Sequence, residues 1–116
     1  MTYQSFEDLE VWKKSLELAI KIYNVLDDCK DYGIKNQMTR AVVSIPSNIA
    51  EGCERDSKSE TIRFLLIAKG SAAELRTQVY IAKEINLIVE NTAEELISDL
   101  KKISAMLHNL INNFKS

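Results

Sequence analysis

Apolar residues recur at alternating spacings of three and four through nearly the whole chain, the period of α-helices buried along one side. The 116 residues include one Pro and three Gly, too few turn formers for a β-sandwich, and no strand-like alternation competes. Three short breaks divide the pattern into segments at about 8–30, 34–54, 58–85 and 93–114. Connections this short return each helix antiparallel to the last. The expected fold is all-α: an antiparallel up-down-up-down four-helix bundle forming one domain over 1–116.

In the first segment the stripe is Leu9, Trp12, Leu16, Ala19, Tyr23 and Leu26, broadened by Ile20 and Ile22, with Trp12 and Tyr23 read as core aromatics. The second places Met38, Ala41, Ile45 and Ile49 on one face. Pro46 lies inside it and is expected to kink the helix without ending it. Gly52 is expected to end the regular helix. The third opens on a capping box, Ser57 with Glu60, and carries Leu65, Ala68, Ala72, Leu75, Val79 and Ala82. The fourth follows a second box, Thr92 with Glu95, and carries Leu96, Leu100, Ile103, Leu107, Leu110 and Phe114. Asn86 to Asn91 reads as a loop whose Leu87, Ile88 and Val89 cover the bundle's end.

A second apolar set accompanies the third helix. Ile62, Leu66, Gly70, Ala73 and Tyr80 run beside its main stripe, and Val43 and Ala50 lie off the main face of the second helix. One bundle core needs an arc a little over 100° wide per helix, so the surplus marks an interface between copies of the chain. Gly70 and Ala73 are small enough for another helix to approach closely.

Polar residues beside the apolar stripes form a seam. Gln37, Ser44, Asn48 and Glu51 share a flank of the second helix with Arg40 at its edge, and the third supplies Ser71, Glu74 and Gln78. A hairpin turning near Asp56 brings Arg40 level with Glu74, Gln37 near Gln78, and Ser44 near Ser71. Two readings stand. In one, a hydrogen-bonded network fixes helix register or subunit orientation, because buried polar groups must be paired. In the other, the seam lines a ligand pocket. Arg40, Glu51 and Glu74 are acid–base types, but no histidine, cysteine or second close carboxylate accompanies them, and the structural reading is preferred to catalysis.

Other chemistry is sparse. Cys29 and Cys53 form no CxxC pair, and their expected places near opposite ends of the bundle keep them as free thiols. His108 lacks a ligand-spaced companion and is expected on the surface or at an interface. No Glu-x-x-His of a di-iron bundle and no phosphate loop occurs, so no metal or other cofactor is expected. Lys13, Lys14 and Lys21 are interleaved with Asp8, Glu10 and Glu17 and read as a solvated face. The 15 basic and 17 acidic residues leave a net charge of -2, against the basic excess of a non-specific polyanion binder. Met1 to Leu9 does not resemble a signal peptide, and no apolar run approaches a membrane span, so a cytoplasmic protein without membrane attachment is expected.

From Gln37 to Glu54, with Arg40-Ala41, Ser44-Ile45-Pro46 and Asn48-Ile49-Ala50-Glu51-Gly52, and again at Gly70-Ser71-Ala72-Ala73-Glu74-Leu75, the chain resembles the bacterial four-helix-bundle family of the 23S rRNA intervening sequence protein. The resemblance runs essentially end to end and places the seam residues on the family's motif positions. It implies antiparallel bundles assembled as ring-like homopentamers. The family name records a gene location and does not establish RNA binding. A similar pentameric bundle serves diversity-generating retroelements by binding reverse transcriptase and nucleic acid, but it is strongly basic, whereas this chain has a pI of about 5.4. The expected function is a non-catalytic oligomeric scaffold or interaction protein with an unidentified protein or RNA partner; the alternative is an RNA- or DNA-associated accessory protein.

Overall fold

The computed structural model describes residues 5–116; the first four residues of the Met1–Leu9 stretch lie outside it. A short 3-10 turn, Phe6–Asp8, precedes α1 (Glu10–Val25), α2 (Tyr32–Cys53), α3 (Lys58–Glu84) and α4 (Glu90–Lys115). Each helix touches its neighbours in the cyclic order α1–α2–α3–α4, and neither diagonal pair touches. This is the expected all-α, up-down-up-down four-helix bundle, 47 × 20 × 20 Å. Ile22, Leu26, Met38, Ile45, Ile49, Leu65, Leu75, Leu96, Leu100, Ile103 and Leu107 fill its centre.

The helix ends explain most departures from the expected bounds. α1 stops at Val25, five residues early, because Leu26–Asp28 form a turn. α2 starts at Tyr32, where the Asp31 carboxylate accepts a hydrogen bond from the Ile34 N–H (3.2 Å). The helix continues through Pro46, as expected, and also through Gly52, which does not end it. Gly52 is needed for proximity: a Cβ there would lie 2.9 Å from the Phe64 Cβ and 3.2 Å from the Thr61 carbonyl oxygen. Thr61 seals this crossing by donating its hydroxyl hydrogen bond to the Gly52 carbonyl (2.8 Å).

Ser57 caps α3, its Oγ accepting from the Glu60 N–H (3.2 Å). The Glu60 carboxylate meets Arg63. At the other end of α3, Asn86 adopts φ 62°, and the N–H groups of Asn86 and Leu87 donate to the carbonyls of Lys83 and Ala82. That is a Schellman ending with Asn in the left-handed position. Leu87 and Ile88 fold onto the core, whereas Val89 is 71% exposed. The second capping box does not form. α4 begins one turn earlier than expected, at Glu90, with Val89 as its cap and no side-chain cap bond, which leaves Thr92 inside the helix.

The stripe expected on α1 holds in part: Ala19, Ile22 and Leu26 are buried and Leu9 and Trp12 pack against the core. Val11, Ser15, Leu18, Ala19 and Ile22 face inward, and Leu16, Ile20 and Tyr23 point outward at 41%, 57% and 52% exposure. Tyr23 is therefore not a core aromatic. Trp12 is half-buried and meets the Phe6 ring edge-on at 5.3 Å. Two phases of α1 are both apolar, and tertiary packing selected the one with Ser15, whose hydroxyl is satisfied by the Trp12 carbonyl (2.9 Å).

Candidate interaction surface

Among the residues of the polar seam, one hydrogen bond crosses from α2 to α3. The hydroxyls of Ser44 and Ser71 are 2.8 Å apart, and the Asn48 amide donates to the Ser44 carbonyl (2.8 Å) and hydroxyl (2.9 Å). The Ser44–Ser71 bond ties α2 to α3 where their apolar faces give way to solvent, and Asn48 of α2 holds the Ser44 hydroxyl in place; all three residues are half-buried. Small hydroxyl side chains suit this place: each satisfies its partner without holding the helices apart.

Around that contact the seam opens. Gln37, Arg40, Ala41, Ser44, Ser71 and Glu74 line one shallow groove. Arg40 and Glu74 share it, but no ion pair joins them, and both side chains are exposed. The expected Arg40–Glu74 bridge is absent because water solvates both charges at no desolvation cost. Glu51 reaches along its own helix to Arg55 (2.6 Å). Gln37 is exposed and makes no bond to Gln78. Gln78 is buried, with its Oε1 lacking a hydrogen-bond partner.

The residues read as an interface divide by exposure. Val43, Leu66 and Tyr80 leave 41%, 49% and 42% of their surface uncovered, with Gly70 and Ala73 exposed between the latter two. Among the described residues no other part of the molecule packs on Gly70: a Cβ there would meet no atom within 4 Å beyond its own helix turn. Within one copy Gly70 therefore permits no close helix crossing. Ile62 packs partly against the core and Ala50 is half-buried. Sequence reasoning missed the outward residues Leu16, Ile20 and Tyr23 on α1. The signal was present in the Val11–Ser15–Leu18–Ile22 spacing, but the serine made that phase look like the polar side.

Charge elsewhere is spent on packing. Lys21 bridges α1 to Glu95 (2.7 Å) and Asp99 (2.9 Å) of α4, and these hydrogen bonds, Glu95 first, raise its pKa above the ordinary lysine value. Lys83 ties α3 to Glu94 (2.7 Å). Arg55 and Arg63 each place a guanidinium 4.7 Å from the centre of the Phe64 ring. His108 lies on the surface between Lys69 (3.3 Å) and Asn112 (3.2 Å). Cys29 and Cys53 are free, and burial pushes the Cys53 thiol pKa up. Among the described residues no group of His, Cys, Asp and Glu is placed to hold a metal ion, and no helix is long and apolar enough to cross a membrane.

The chain matches the family described as 23S rRNA-intervening sequence protein over residues 7–109. It is similar to a crystal structure of a protein of unknown function from the S23 ribosomal protein family of Bacteroides thetaiotaomicron. The two share 27% identity over 88% of this chain and 95% of that one, with a TM-score of 0.83. No curated protein matches it significantly. The match covers the bundle almost from end to end, both halves of the seam included, and the chain belongs to the 23S rRNA-intervening sequence protein family.

Proposed function

We infer that this protein is a non-catalytic helical scaffold that works by associating with copies of itself and presenting the assembly to a protein or RNA partner. One observation carries the reading: α3 keeps Leu66 and Tyr80 about half exposed on an outward face whose intervening positions, Gly70 and Ala73, are small and uncovered. A monomer gains nothing from such a face, whereas a second copy buries it at about 25 cal/mol per Å² of apolar area, offset in part by the cost of ordering. Five copies is the number implied by the family resemblance. The free thiols suit the reducing cytoplasm. The net charge of -2 gives no electrostatic support to a nucleic-acid accessory role.

Sedimentation equilibrium at micromolar concentration tests the reading. A single 13.2 kDa species overturns self-association. A dimer or tetramer keeps it and rejects the count of five.

A further inference from the structure

Of the three charged side chains on the seam, Glu51 is held by Arg55, whereas Arg40 and Glu74 have no ion-pair partner among the described residues and face one groove without meeting. The Ser44–Ser71 bond fixes the register of these two antiparallel helices. Counting back along α2 and forward along α3 from that bond moves in one direction, at about 1.5 Å per residue. Arg40, four residues back, and Glu74, three residues forward, therefore stand within about 2 Å of the same height. Gln37 and Gln78, each seven residues from the bond, are level with each other about 10 Å along.

Gln78 lies within about 60° of Ser71 and Glu74 around α3, on the side of the seam. It is 7% exposed, and among the described residues its Oε1 is the one buried side-chain polar atom without a hydrogen-bond partner. A buried amide oxygen without a donor weakens the fold. A change of rotamer turns it toward the groove and breaks no hydrogen bond, because it makes none.

These unused groups define a ligand. The planar fork of Arg40 matches a carboxylate, Glu74 matches a cation, and the Gln78 oxygen needs an N–H. An ammonium carries three N–H donors and serves the last two together. A plain anion is repelled by Glu74, and a plain cation by Arg40. The groove has a volume of about 260 Å³, below the roughly 300–1,000 Å³ of pockets that enclose drug-sized molecules. The molecule that fits is small and zwitterionic.

We propose that the α2–α3 groove binds a free α-amino acid, its carboxylate held by Arg40 and its ammonium by Glu74 and the Gln78 Oε1. The site lies within one protomer and does not rest on self-association.

Amide chemical shifts of the full chain titrated with glycine test it. Saturable shifts centred on residues 37–44 and 71–78 are expected at millimolar glycine. Acetate and methylamine, which carry one charge each, should bind at least about tenfold more weakly. Arg40→Gln and Glu74→Gln should each weaken glycine binding about tenfold, and Lys101→Gln, exposed on α4, should leave it unchanged. Gln78→Met separates binding from folding: glycine affinity should fall, while urea unfolding without ligand shows a stability equal to or above that of the parent chain. A loss of stability there would give the amide a structural partner and overturn its role. The absence of saturable shifts at the groove overturns the proposal. So does acetate binding as tightly as glycine, or a glycine affinity untouched by removing Arg40 or Glu74.

Discussion

Gly52 and Gly70 both lie inside helices but in opposite circumstances, and the difference is measurable. At Gly52 an added methyl meets the Phe64 side chain and the Thr61 backbone at the α2–α3 crossing, so α2 and α3 must part for it. Gly52→Ala is expected to cost about 1–3 kcal/mol in urea unfolding, the range of overpacked cores. Gly70→Ala meets no atom and removes a flexible residue from a helix, so the protomer should gain about 0.5–1 kcal/mol. Equal effects at the two sites would refute the close-approach account. In the seam, Ser44 carries more than Arg40. Ser44→Ala breaks the contacts to Ser71 and Asn48 and should cost about 1 kcal/mol. Arg40→Ala strands no buried carboxylate and should stay within about 0.5 kcal/mol of the parent chain. A larger loss on removing Arg40 would mean that it pairs with Glu74 in solution after all.

At the scale of the element, two sequences with the same capping signature behave differently because of what precedes them. Ser57 follows a polar corner, where its extended backbone frees its hydroxyl to cap α3. Thr92 follows Leu87 and Ile88, which are drawn onto the core, and the helix begins as soon as that anchoring is complete, at Glu90. Ser57→Ala should therefore cost about 1 kcal/mol, while Thr92→Ala should be close to neutral in thermal unfolding. If Thr92→Ala costs as much as Ser57→Ala, α4 starts later than described. α1 is the shortest and least committed of the four helices. Its sequence offers two apolar phases, and burial of Val11, Leu18 and Ile22 chose between them.

At the scale of the whole molecule, α1 is held to α4 by a polar clamp as well as by apolar packing. Glu95 and Asp99 raise the Lys21 pKa above its ordinary value of 10.5, so the clamp's contribution is complete below that pH and disappears as pH rises through the elevated folded value. Lys21 is more than a third exposed, and screening limits the effect to about 0.2–1 kcal/mol. The stability difference between the parent chain and Lys21→Met should be constant at neutral pH and shrink above pH 10.5. A difference that persists unchanged at high pH would mean that the ammonium charge of Lys21 does not carry the loss.

Helical spacing, four-segment division and the shortness of the connections determine the bundle from sequence alone, since few other arrangements bury four amphipathic stripes joined so closely. The Ser44–Ser71 pairing was likewise legible, because a hairpin with its corner near Asp56 leaves little freedom in register. Three things waited for the tertiary structure. The inward phase of α1 depended on which of two apolar stripes found neighbours. The start of α4 depended on Leu87 and Ile88 reaching the core. The absence of an Arg40–Glu74 bridge depended on the depth of the seam, which periodicity does not encode: a helical wheel gives the direction of a side chain, and only the packing of its neighbours decides whether water reaches it.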